Sequence, residues 1–156
     1  MAKKMVLISV LLIVSVFGGT FAQERQYRIG STGPGGGIIF TIEGPYYYEI
    51  SRVIGEGYAN DVPGIVRSFN GGGFNDWYLP SATELMLVYQ NLVEPKIIGL
   101  GGSHWSSATQ TVGQGRNAEL QRRRVSLETG GSSWLGHGPT QGMCAVRLIR
   151  VFTITQ

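Results

Sequence analysis

The sequence predicts an α+β domain in which strands come before and after two helices. Three observations carry this. Residues 81–93 have the capping residues and the periodicity of a helix. Runs rich in β-branched and aromatic residues, 38–42, 46–50 and 145–152, stand towards both ends of the chain. Glycine clusters at 35–37, 71–73, 101–102 and 130–131 lack the three-residue period of collagen, so they mark turns in a loop-rich fold.

The first 22 residues stand apart. Lys3 and Lys4 form a positive start, 5–17 is an apolar stretch too short to span a bilayer comfortably, and Thr20-Phe21-Ala22 has the small-x-small pattern of a cleavage site. The segment reads as a secretory signal peptide, with an uncleaved anchor as the alternative. It predicts an extracytoplasmic protein, in the periplasm, on the surface or secreted, with no stable membrane span after cleavage. Residues 23–156 then form one domain, long enough to bury a core. Thirteen basic residues less Lys3 and Lys4 leave eleven, against ten acidic ones. A nearly neutral domain gives no support to nucleic-acid binding. Cys144 is the only cysteine, which excludes an intramolecular disulfide. Its apolar surroundings read as those of a buried small hydrophobe, with a reactive thiol as the alternative.

Residues 27–29 suggest a short edge strand. Gly33-Pro-Gly-Gly-Gly37 is a turn before the strand 38–42. It lacks the Lys-Ser/Thr pair and the following helix of a phosphate loop. Gly44-Pro45 turns the chain into the strand 46–50, so the two strands read as a hairpin. Asp61 and Pro63 suit the start of a short helix carrying Ile65, Val66 and Phe69. Residues 71–76 are a flexible turn, Trp77-Tyr78-Leu79 a short extended run, and Pro80 its stop. Ser81-Ala-Thr-Glu84 is a capping box, and Leu85, Val88, Tyr89 and Leu92 follow at helical spacing, which predicts a helix over 82–93. Residues 104–108 read as a strand and 109–117 as a polar turn. Residues 118–127 are a strand or the two halves of a hairpin. Residues 129–141 read as a loop holding Trp134 and His137, and 145–152 as a central strand, apolar on both faces.

Four of these blocks resemble a known family. Asp76-Trp-Tyr-Leu-Pro-Ser81, with Glu84-Leu85 and Tyr89-Gln-Asn-Leu92, is similar to the signature of a bacterial extracytoplasmic domain. That domain is also found at the C-terminus of the Legionella collagen-like adhesin. Ile29-Gly-Ser-Thr-Gly-Pro-Gly-Gly-Gly-Ile-Ile-Phe40, His104-Trp-Ser-Ser107 and Ala145-Val-Arg-Leu-Ile-Arg-Val-Phe152 resemble its other blocks, in order. The resemblance covers about 27–152. It implies a compact C-type-lectin-like fold, related to the formylglycine-generating enzymes, in which two helices flank small antiparallel sheets with long loops. It implies adhesin-like binding of glycosaminoglycan-like ligands.

No catalytic constellation emerges. The formylglycine-generating chemistry needs paired cysteines, and there is one. No nucleophile elbow surrounds any serine. Two histidines and one cysteine, widely separated, do not make a zinc site, and few carboxylates are available to converge on calcium. No metal and no cofactor are predicted. Asp76, Trp77, Glu84, Trp105, Arg147 and Arg150 read as structural, with Asp76 and Glu84 as expected carboxylate partners of the two arginines in the final strand. Arg122, Arg123 and Arg124 are the one local charge cluster. Alternation on a strand would put Arg122 and Arg124 on one face. With Trp134 and His137 they are the candidate ligand-binding residues, because guanidinium forks suit carboxylate and sulfate. A solvated strand face is the alternative. The sequence therefore predicts a non-enzymatic binding domain for a glycan or polyanion, with an anionic polysaccharide or an envelope protein as partner. A structural or assembly subunit of the envelope, in which loops contact other copies, is the second reading, and an enzyme of unknown type the third.

Overall fold

The computed structural model describes residues 26–136 and 141–154. The expected signal peptide lies outside them. The architecture is α+β, with two helices, a three-stranded antiparallel sheet and a five-stranded mixed sheet. Among the described residues no helix is long and apolar enough to cross a membrane.

The first sheet begins with the expected hairpin. Strand β1, Ile38–Glu43, pairs antiparallel with β2, Tyr46–Ile50. The last strand, β8, Ile149–Thr153, adds antiparallel to the other side of β2. The second sheet is ordered β3-β7-β4-β5-β6. Its members are β3, Gly55–Gly57, β4, Ser103–Val112, β5, Glu119–Ser126, β6, Ser132–Gly136, and β7, Cys144–Val146. Helix α1, Val62–Ser68, packs Val62 with Trp105 and Val146 on one side. Helix α2, Ala82–Val88, packs Leu85 and Val88 with Val125 and Leu127 on the other. Each fully buried aliphatic side chain contributes about 2 kcal/mol.

The start of α2 is set by local chemistry. Ser81 Oγ accepts from the Glu84 N–H at 3.1 Å, and the Glu84 carboxylate accepts from the Ser81 N–H at 2.8 Å. This satisfies donors that a helix start otherwise leaves open. The helix then widens into a π-helical turn over Tyr89–Val93. There Asn91 Nδ2 donates to the Phe40 carbonyl at 2.9 Å and ties the turn to β1.

Four expectations need correction. Residues 27–29 form no strand; Tyr27 instead packs edge-on against Tyr47 and Phe152, at 5.6 and 5.5 Å. The strand at 104–108 extends to Val112, where Gln110 and Gln121 side chains bond across to β5, so the polar turn is shorter than expected. The segment 129–141 contains β6, paired along Arg122 to Arg124. The final run is not one central strand. It divides at Arg147 and Leu148, because β7 belongs to one sheet and β8 to the edge of the other. The division is held by Ser51, whose Oγ accepts from the Leu148 N–H at 2.8 Å. The outer side of β8 bonds to Tyr78 through two backbone bonds, 2.9 and 2.8 Å.

A buried ion pair joins the hairpin near the start of the domain to its last strand. Glu49 on β2 and Arg150 on β8 stand directly opposite each other. Arg150 Nη1 donates to Glu49 Oε1 at 2.9 Å, and its Nε to Asp76 Oδ1 at 2.6 Å. Its guanidinium lies 3.6 Å from the centroid of the Phe74 ring. Glu49 is fully buried, and its carboxylate also accepts from the N–H groups of Gly35 and Gly37. The glycine run is therefore a nest for a carboxylate of the same chain. A Cβ on Gly35 would lie 2.6 Å from the Trp77 ring, and one on Gly37 2.7 Å from the Ile50 carbonyl oxygen, so neither site admits a side chain. Replacing Glu49 by Gln should cost about 3 kcal/mol by leaving Arg150 buried with less charge compensation. A urea midpoint equal to that of the unaltered chain would contradict this account.

Candidate functional site

The arginine run lies on β5, and its neighbours fix what each residue does. Arg124 stands opposite Trp105 on β4 and Ser133 on β6, whereas Arg123 stands opposite Trp134. Strand alternation puts Arg122 and Arg124 on the face of α1 and Arg123 with Trp134 on the face of α2. The expected grouping of all three arginines with Trp134 in one patch is thus divided by the sheet. His137 lies outside the described residues.

Arg122 serves the fold. Beside it β4 bulges, with the register shifting between Trp105 and Thr109. Arg122 Nη1 donates to the Ser106 carbonyl at 2.9 Å, Ser106 Oγ donates to the Arg123 carbonyl at 2.8 Å, and the Ser107 N–H donates to the Pro80 carbonyl at 2.7 Å. Burial pulls the Arg122 guanidinium below its ordinary pKa, and its Nε has no partner among the described residues. Trp105 anchors the same strand by donating from Nε1 to the Gly57 carbonyl at 2.8 Å.

Arg123 donates from Nε and Nη2 to Ser132 Oγ and lies 5.8 Å from the Trp134 ring. Arg124 donates from Nε to Ser133 Oγ at 2.9 Å. It lines a pocket of about 240 Å³ with Ser103, Ser126, Thr129, Ser132 and Ser133. The hydroxyls there share a pattern. Ser126 Oγ accepts from the Glu128 and Thr129 N–H groups, Thr129 Oγ1 from Gly131, and Ser133 Oγ from Arg124, whereas Ser132 Oγ accepts from Arg123 on the opposite face. Each hydroxyl that already accepts from the protein keeps its own proton to donate. No carboxylate lines the pocket among the described residues. The arrangement offers a guanidinium and several O–H donors to one bound anion.

Cys144 is buried, and its thiol contacts Arg124. Burial raises its pKa more than the arginine lowers it, so the thiol stays protonated and inert. The remaining predicted residues hold the scaffold. Glu84 closes the capping box and accepts from the Tyr78 hydroxyl at 2.6 Å. Burial, and then this carboxylate, push the Tyr78 phenol upward. Trp77 donates from Nε1 to the Gly71 carbonyl, and Asp76 meets Arg150. Arg147 differs from the expectation: its partners are not carboxylates. Nη1 donates to the Ser51 carbonyl at 2.8 Å and Nε to His104 Nε2 at 3.0 Å. The arginine donor makes Nε2 the acceptor and leaves the proton on Nδ1, 3.3 Å from the Gly102 carbonyl.

Sequence reasoning missed Glu49, Ser51 and the hydroxyls around Arg124. A glutamate within an otherwise apolar and aromatic strand was the available signal for the first. The hydroxyls come from separate segments and carry no local pattern. Among the described residues no group of three or more His, Cys, Asp or Glu side chains could hold a metal ion. Neither a family model, nor a curated protein, nor a solved structure matches this chain significantly.

His104 generates a pH prediction. Burial, and then the Arg147 charge, lower its pKa from 6.5 to about 4. The unfolded chain takes up a proton below about 6.5, while the folded one resists until about 4. Stability contributed by the neutral ring is therefore lost as pH falls through that window, by on the order of 3 kcal/mol. His104→Gln should flatten this part of the urea-midpoint profile. Parallel profiles for the two proteins would contradict the neutral assignment.

Proposed function

We propose that the protein is a non-enzymatic binding domain of the bacterial cell envelope that holds an anionic glycan by its sulfate or carboxylate groups. The observation that carries this is the pocket around Arg124, where a guanidinium and hydroxyl donors converge without a competing carboxylate. Charge-assisted bonds from an arginine fork are about twice as strong as neutral ones. The hydroxyls that already accept from the protein are oriented as donors before a ligand arrives, which lowers the ordering cost of binding. Arg123 and Trp134, on the opposite face, are a secondary contact for a long polysaccharide passing the edge strand β6.

The reading includes export by the N-terminal segment and a C-type-lectin-like architecture of the adhesin-domain kind. Support for the architecture comes from the two helices on opposite faces of the larger sheet, both carried by the long connection from β3 to β4. The reading is of binding rather than catalysis, and the chemistry of the pocket supports it. It offers donors and a fixed positive charge, and no general base or activated nucleophile lines it among the described residues.

Retention on an immobilised sulfated polysaccharide, measured over a salt series, tests the reading. Retention should weaken as salt rises. Arg124→Ala should reduce affinity roughly tenfold, and Arg123→Ala should do so by less. Arg122 is left unchanged because it supports the β4 bulge. Failure to bind at low salt would overturn the glycan reading, and a loss confined to Arg123→Ala would move the site to the Trp134 face.

A further inference from the structure

A second cleft lies beside β3, at the edge of the five-stranded sheet away from β6. Two adjoining hollows, of about 250 and about 440 Å³, share Arg52, Phe69 and Gly71. Their walls are the connector 51–54, the residues that end α1, and the two glycine turns at 35–37 and 71–72. Five of the twelve lining residues are glycines, which leave their backbone bare.

The cleft is built rather than incidental. The first glycine turn is held from below by the Glu49 carboxylate. The second is held by Trp77, whose Nε1 donates to the Gly71 carbonyl at 3.1 Å. The turns touch each other, since a Cβ on Gly72 would lie 2.6 Å from the Gly35 carbonyl oxygen. Phe69 is fixed edge-on against Trp77, with centroids 5.6 Å apart, yet remains partly exposed. The connector is pinned by backbone bonds from Ser51 to Leu148 and from Ile54 to Val146. Arg52, between these two anchors, is exposed, and its side chain has no hydrogen bond or ion pair among the described residues. It is the only charged side chain in the lining among those residues. Glu49, beneath the first glycine turn, and the half-exposed Asp76 are both engaged by Arg150.

We infer that this cleft binds one carboxylated sugar unit, with its carboxylate on Arg52, its ring against Phe69 and its hydroxyls on the backbone of the glycine turns. An unpaired guanidinium selects the acid group. An aromatic ring supplies an apolar face for the C–H side of a pyranose. The N–H groups of 35–37 are already spent on Glu49 and on the Gly33 carbonyl, so it is the backbone carbonyls of the glycine turns that accept from sugar hydroxyls. The choice of a sugar rests on the glycan reading above, but none of the residues around Arg124 takes part.

The test is a titration of the ¹⁵N-labelled protein, as the cell produces it, with millimolar glucuronate, and with acetate and glucose as controls. Amide signals of 35–37 and 71–72 should shift saturably with glucuronate. Arg52→Ala should weaken this about tenfold, and glucose should bind about tenfold more weakly than glucuronate. Arg52 is exposed, so its replacement leaves the fold intact, and an unchanged urea midpoint checks this. Acetate binding as well as glucuronate would overturn the sugar assignment. Shifts confined to 126–133 would overturn the cleft while leaving the Arg124 pocket standing. Shifts at neither place would also overturn the cleft, and retention of the protein on sulfated polysaccharide would then judge the Arg124 pocket separately.

Discussion

The buried pair of Glu49 and Arg150 is the constraint on which the rest of the structure depends. Neither charge reaches solvent freely, so each must be satisfied by the protein. Arg150 takes two carboxylates, from β2 and from the turn 71–76, and lies over the rings of Phe74 and Phe152. Glu49 takes the arginine and the N–H groups of the first glycine turn. Four separate stretches of chain must be in place before the pair is complete. This accounts for the glycines at 35 and 37 and for Trp77, which fills the space that side chains there would need. A glycine-rich turn that resembles an anion site is already occupied, by the protein's own carboxylate.

A second junction joins the two sheets. The chain leaves β7 and enters β8 through Arg147 and Leu148. There Ser51 receives Arg147 on its carbonyl and Leu148 on its hydroxyl. Arg147 also reaches His104 on β4, so one guanidinium links the end of β2 to the five-stranded sheet. The cost is a cation and an imidazole held together in a buried place, tolerable only while the imidazole is neutral. Arg147 and Arg150 look alike in sequence and do opposite things. One is compensated by carboxylates, the other by a carbonyl and a neutral ring.

These two junctions leave the surfaces between them free to carry function. Arg124 sits near one edge of the larger sheet and Arg52 beside the other, and on the proposed reading both receive acidic ligands while residues 23–156 as a whole are nearly neutral. Affinity would then come from local geometry rather than from net charge. Rigid supports behind each place, β4 to β6 for one and Trp77 with Glu49 for the other, suit recognition by preformed groups.

Features governed by neighbours along the chain are legible in the sequence alone. The capping box at Ser81 and Glu84, the hairpin of β1 and β2, the short helix after Asp61 and the α+β class depend on turn chemistry and periodicity that act within a few residues. The alternation of Arg122 and Arg124 is legible for the same reason. Pairing decided the remainder. Trp134 lies with Arg123 because β6 registers that way, and β6 was hidden because its short serine-rich run resembles a loop until β5 provides a partner. The closing run divides because its halves find different sheets, which no local pattern encodes. Glu49 meets Arg150 across about a hundred residues, and the hydroxyls around Arg124 come from separate segments. Local chemistry thus set the elements, while long-range pairing decided which charges were spent inside and which were left at the surface.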